Sequence, residues 1–319
     1  MKRTILAVTL CVTLVLGLMN NVRADKKKVL YIDSYHAGYS WSDDITEGVK
    51  AVLDGKNVEL KIIRMDTKRN KSEEFKKEAA LKVKGVIESW KPNVVIASDD
   101  NASKYLIVPF FKDTDIPFVF CGVNWDASVY GFPVSNVTGM VEVALTPQVI
   151  DTLKPYSKGA KIGVIASDTL SERKNAENMK KNFNLVFEEE RYAKTFDELK
   201  KNFMELQSKC DILLFLECKS VTNFDHEKMV EFVEQNTRIP TGAMQSYLAS
   251  YAMVTYSKMG KEQGEWASLT ALDILGGKSP KDIPIAANKK AKIYLQMRIA
   301  KKLGVKFPMK LINIAEFVK

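Results

Sequence analysis

Short β-branched runs alternate along the chain with charged stretches of helical period, a rhythm that builds βαβ units around parallel sheets covered on both faces. Val29–Ile32 predicts a first strand and Asp43–Leu53 a first helix. Val58–Arg64 and Ser72–Trp90 repeat the pair; Ser72-Glu73-Glu74 carries a helix-capping pattern and Pro92 closes the helix. Val94–Ala97 and Pro117–Cys121 are the next strands, running into the polar Ser98-Asp99-Asp100-Asn101 and into Gly122-Val123-Asn124-Trp125.

A second series follows: strand Lys161–Ala166, helix Ser171–Phe183, strand Leu185–Glu190, helix Phe196–Ser208, strand Ile212–Leu216, helix His226–Thr237 and strand Pro240–Met244. Between the series, Asp126–Thr146 is rich in Gly, Pro, Ser, Asn and Thr, has weak periodicity and reads as a crossover. A strand-like Met253–Ser257, a helix Lys261–Leu275 and a last unit at Lys292–Leu303 complete the chain. The doubled rhythm predicts an α/β fold of two doubly wound, Rossmann-like lobes. Crossings near Tyr247–Ser257 and Pro280–Ile285 would add to the first and give a three-stranded hinge. The expected first lobe takes residues 25–123 and about 255–281, the second about 124–254 and 282–319.

The amino terminus changes the picture of where such a fold works. Lys2 and Arg3 precede an uncharged, mostly apolar run, Thr4–Leu18, and Val22-Arg23-Ala24 offers small residues at a signal-peptidase site. The reading is an export signal over residues 1–24, cleaved to leave a periplasmic or otherwise extracytoplasmic protein; a retained anchor is the alternative, for which the run is short. Leu10 before Cys11 argues against a lipoprotein site. Cys121, Cys210 and Cys218 remain, an odd number, and the extended segment between the last two holds them beyond the ~7 Å limit for a bridge. All three read as buried small hydrophobes. The formal charge of +9 falls to +6 without Lys2, Arg3 and Arg23, and the basic residues are mixed with acidic ones. That is solvated surface rather than a nucleic-acid face.

Catalytic patterns are scarce. The chain lacks a dinucleotide or phosphate-cradling glycine motif, a nucleophile elbow and a zinc-protease helix, so no cofactor or metal is expected. Its two histidines are His36 and His226, the latter at a predicted helix start. A hydrolase pairing His36 with Asp99 or Asp100 is one reading of the strand-end loops; a recognition surface is the favoured one. Ser34, Tyr35, His36, Tyr39 and Trp41 follow the first strand, where an open α/β sheet holds its ligand. Tyr39, Trp41 and Trp125 suit a flat or apolar ligand, or pack under their own loops. Ser98, Asp99, Asn101 and Asn124 could fix a polar end, with Asp99 or Asp100 facing an ammonium or capping a helix. From the second lobe come Ser167, Asp168 and Thr169, then Glu217, then Gln245 and Tyr247. Two polar edges with aromatics describe a cleft for an amino-acid-like solute.

Ile116–Cys121, Asn136–Met140, Leu153-Lys154-Pro155 before Lys161–Ile165, and Ala300–Pro308 with Ala315 form a set of segments. Together they resemble the substrate-binding proteins of ABC transporters related to tryptophan- and aromatic-amino-acid-binding receptors. The resemblance implies a type I periplasmic-binding-protein fold, a ligand held between two lobes, and delivery of the ligand to a membrane permease; a monomer without enzymatic activity is the accompanying expectation. The loop Tyr35–Trp41 is similar to a subgroup with members found beside sensor kinases, which implies a sensory role as the alternative. Asn124-Trp125-Asp126-Ala127 and Gln296 depart from that family's common Asp-Pro and Asn.

Overall fold

The computed structural model describes residues 25–318. The expected export signal, residues 1–24, lies outside them. Elements alternate as β1 (Lys27–Asp33), α1 (Ser40–Leu53), β2 (Val58–Arg64), α2 (Glu73–Trp90), β3 (Val94–Ser98), a one-turn α3 (Asp99–Ala102) running into a π-helical segment (Ser103–Phe111), β4 (Phe118–Asn124) and β5 (Val137–Glu142). The second series is α4 (Thr146–Leu153), β6 (Ile162–Ser167), α5 (Leu170–Phe183), β7 (Glu189–Ala193), α6 (Phe196–Leu206), β8 (Ile212–Phe215), α7 (His226–Asn236), β9 (Thr241–Ala243) and β10 (Val254–Lys258). Then come α8 (Gly260–Leu275), β11 (Ala286–Ala287), β12 (Ala291–Leu295), α9 (Met297–Lys302), α10 (Met309–Ile312) and β13 (Ala315–Phe317).

Two sheets form, ordered β11-β5-β4-β3-β1-β2 and β13-β12-β10-β9-β8-β6-β7. Every pairing in the first is parallel, and in the second β12 alone runs antiparallel to its neighbour β10. The inner strands β3, β4 and β6 are near-continuous apolar runs, as sheets covered on both faces require. Cys121, Cys210 and Cys218 all lie buried among them.

Sheet membership corrects the expected division of the chain. The segment read as a crossover contains β5, which hydrogen-bonds to β4 from Phe118↔Val137 to Asn124↔Glu142 and belongs to the first sheet. Its Thr138 and Gly139 hid it, yet the strand is buried throughout, and Gly139 faces Phe120 where a Cβ would have no room. β10, expected in the first lobe, joins the second sheet, while β11, expected in the second, pairs with β5. The chain therefore changes sheets between Glu142 and Thr146, between Lys258 and Gly260, and between Ala287 and Ala291.

β7 also lies later than the apolar Leu185–Phe187 implied. Leu185 and Phe187 pack on the core from a loop, Val186 is 83% exposed, and the strand itself is the charged, half-buried edge that pairs with Gly163–Ser167.

The tightest helix contact holds α8 to α1, on one face of the first sheet. Gly264 meets the backbone of Ile45 and Val49, and Gly48 meets that of Lys261, so the two helices touch backbone to backbone. This fixes α1, and with it the loop after β1.

Candidate ligand-binding cleft

The strand ends of the two sheets face each other across a cleft of about 480 Å³. On the first-sheet side the loop after β1 is folded down by Asp33, a buried carboxylate that accepts from the Tyr35 amide at 2.9 Å and from Ser42 Oγ at 2.8 Å and pairs with Arg64 at 3.3 Å. The loop thereby turns Tyr35, Tyr39 and Trp41 toward the cleft, where they line it with Ser40 and Asp44. Tyr35 and Tyr39 pack edge to face at 5.5 Å, and Lys68 Nζ sits 5.0 and 4.9 Å from their ring centres.

Asp99 stands at the end of β3. It is buried, its φ is +67°, and its Oδ1 accepts from Trp41 Nε1 at 2.9 Å. Its Oδ2 is buried with no hydrogen-bond partner. Burial first, then the charge of Glu142, holds the Asp99 carboxyl well above the ordinary carboxylate range, against the hydrogen bonds from Trp41 and Ser98. Gly122, in the left-handed region at φ +69°, lets β4 pass close to this carboxyl: a Cβ there would lie 3.0 Å from Asp99 Oδ1.

Asp100 points elsewhere, accepting from Asn124 Nδ2 at 2.6 Å and Tyr130 OH at 2.8 Å. Asn124 and Trp125 line the cleft at the end of β4. Trp125 spans the two halves, donating to Asn175 of α5 at 3.3 Å and meeting Phe183 edge-on at 6.1 Å.

The second side presents Glu217, Gln245 and Tyr247, with Tyr247 44% exposed. Glu172, in the first turn of α5, is buried behind them; it accepts from Asn175 Nδ2 at 3.1 Å and from the Glu217 amide at 3.2 Å, and burial raises its carboxyl. At the cleft floor Glu142 and Lys258, the last residues of β5 and β10, form an ion pair from one sheet to the other.

The structure thus brings Tyr35, Tyr39, Trp41, Asp99, Asn124, Trp125, Glu217, Gln245 and Tyr247 to one cleft. The other sequence-selected residues stand behind or beside its walls. Ser34 is fully buried, donating to the Ser98 carbonyl and accepting from the Ala102 amide; Ser98 meets Tyr31 OH, and Asn101 donates to Thr67. These bonds stitch the strand-end loops together. Ser167 is buried, Asp168 pairs with Arg173 at 2.7 Å, and Thr169 caps α5 through the Glu172 amide. His36 is half-buried, with Nδ1 at 2.8 Å from the Ala37 carbonyl. The alternative His36–Asp99 or His36–Asp100 pair is not assembled: His36 meets the Ala37 carbonyl, while Trp41 binds Asp99 and Asn124 and Tyr130 bind Asp100.

Sequence reasoning missed Lys68, Glu142, Glu172, Asn175 and Lys258. Glu142 ends a strand that went unrecognised, and Glu172 and Asn175 read as helix surface. Among the described residues no group of three His, Cys, Asp or Glu is placed to hold a metal, and no helix is long and apolar enough to cross a membrane.

Residues 40–319 match the family model described as ABC transporter substrate binding protein. The chain belongs to that family. No curated protein matches it. Solved structures share its fold at low identity. A ligand-free, open substrate-binding protein with adhesive properties from Clostridium difficile is 20% identical with a TM-score of 0.70, over 92% of this chain and 99% of that one. An ABC domain in complex with L-Trp from Streptococcus pneumonia is 16% identical with a TM-score of 0.51, over 92% and 100%. A periplasmic ribose ABC transporter protein from Conexibacter woesei is 16% identical with a TM-score of 0.54, over 89% and 96%. The substrate-binding protein therefore has the type I periplasmic-binding-protein fold, and its own side chains must say what it binds.

Proposed function

We propose that this substrate-binding protein is an extracytoplasmic receptor that holds a small amino-acid-like solute with an aromatic or flat apolar part, and hands it to the permease of an ABC importer. The observation that carries the reading is the convergence of ring faces and carboxyls from both sheets on one cleft: Tyr39, Trp41 and Asp99 from one side, Tyr247 and Glu217 from the other, with Trp125 between. About 480 Å³ is within the ~300–1,000 Å³ range of small-molecule sites. Stacked aromatic pairs add about 0.5–1.5 kcal/mol each beyond buried area, which suits rings as the specificity wall.

The lobes in this reading are residues 25–143 with 259–288, and 144–258 with 289–318, closing on the solute about the three sheet-to-sheet crossings. The Glu142–Lys258 pair lies at two of them.

The test is equilibrium calorimetry of ligand-stripped protein against a library of amino acids and their derivatives, repeated on Trp41→Ala and Trp125→Ala. Heat and a rise in thermal midpoint with a member of this class, weakened in both variants, is the expected result. Binding to no member sinks the receptor reading for this class; variants that bind like the parent sink the aromatic wall.

A further inference from the structure

The cleft's charge runs against that of the chain. The whole sequence has 48 Lys and Arg against 39 Asp and Glu, yet the cleft is lined by five carboxyls and two ammoniums. One ammonium, Lys258, is committed to Glu142. The other, Lys68, lies over the Tyr35 and Tyr39 rings at 5.0 and 4.9 Å, so its charge is engaged by those ring faces.

Two carboxyls, one on each side of the cleft, form no ion pair with a cation among the described residues. Asp99 is 2% exposed and its Oδ2 has no partner; Glu172 is 8% exposed and is held by the Asn175 amide and the Glu217 backbone, neither of which is charged. A buried carboxyl without a cation is costly in the empty protein, and an arriving ammonium offsets that cost. A solute carboxylate would instead meet the acidic excess with only Lys68 to receive it.

We propose that the cleft selects net-cationic organic amines over their zwitterionic amino-acid counterparts, with Asp99 and Glu172 as the two specificity-determining carboxyls. The proposal rests on the receptor reading above and narrows it: the ring wall accepts the flat part, and the carboxyl on each side accepts an ammonium or amidine. Mono-amines would use one carboxyl, and diamines both.

The experiment is calorimetry of ligand-stripped protein with matched pairs, tyramine against tyrosine and tryptamine against tryptophan, plus 1,4-diaminobutane. Each pair keeps ring and ammonium and differs only in the carboxylate. The expected result is amines binding about tenfold or more tighter than the paired amino acids, with an advantage that shrinks as salt rises. Asp99→Asn and Glu172→Gln should each erase most of the preference; should one variant fold poorly, the other and the salt series carry the test. Amino acids binding as tightly as the amines, or tighter, overturns this proposal and leaves the receptor reading standing. Binding of neither class, nor of any library member, overturns both.

Discussion

Trp41 Nε1 donates to Asp99 Oδ1 at 2.9 Å, joining the first turn of α1 to the end of β3, and that one bond gives the cleft both its aromatic face and its buried carboxyl. Trp41 is set by α1, which is locked to α8, and Asp99 by a left-handed backbone that an aspartate tolerates. Trp41→Phe keeps a ring and removes the donor. Losing an intramolecular hydrogen bond costs about 0.5–1.5 kcal/mol. We expect ligand affinity to drop by up to about tenfold, measured by calorimetry, with Trp41→Ala lower still.

Asp99 should also show as a stability cost. Its folded carboxyl is raised above the ordinary value, so between the unfolded and folded pKa the folded state binds more protons and stability falls as pH rises. Asn cannot ionise and does not carry that cost. Asp99→Asn should therefore unfold at a higher temperature than the parent at neutral pH, with the gap closing below about pH 4, where the unfolded Asp protonates. Calorimetric melting from about pH 3 to pH 8 checks this; a gap that is constant or reversed contradicts it.

Much of the fold was legible in the sequence because its inner strands are short apolar runs between amphipathic helices, a pattern set by burial on both faces. β5 was not legible: its Thr138 and Gly139 look like loop, whereas Thr138 donates to the Ile283 carbonyl and Gly139 makes room for Phe120. The cleft was half legible. Tyr39, Trp41, Asp99, Trp125 and Tyr247 follow predicted strands, and strand ends converge. Ser34, Ser98 and Thr169 follow strands equally well, but the Ser34 and Thr169 hydroxyls meet the backbone and that of Ser98 meets Tyr31 OH, a choice set by local hydrogen bonding that spacing does not encode. Glu172 and Lys258 were out of reach because their significance is their position relative to the opposite sheet.

The pair across the sheets offers a further prediction. Glu142 and Lys258 are only 9% and 17% exposed, so removing one partner leaves a poorly solvated charge. Glu142→Gln or Lys258→Met alone should destabilise by about 3 kcal/mol or more, while the double variant recovers over half of the loss. Chemical unfolding of the four proteins forms the cycle, and additive effects would show that the pair is not coupled.

Two glycines on helices should respond in opposite directions. Gly264 of α8 has no room for a Cβ against Ile45, whereas Gly85 of α2 is exposed with nothing within 4 Å. Gly264→Ala should cost about 1–3 kcal/mol by overpacking, and it should loosen α1 and weaken ligand binding. Gly85→Ala should stabilise by about 0.5–1 kcal/mol through helix propensity alone, with affinity unchanged. Melting and calorimetry on the two variants separate the effects.

The central claim is a solute held between two lobes, and a crystal structure of the protein with the small molecule it retains on purification, or with the tightest-binding library member, tests it most directly. The molecule is expected in the cleft, touching the Trp41–Asp99 side and the Glu172–Tyr247 side at once. A molecule bound to one sheet's residues alone, or outside the cleft, would contradict it.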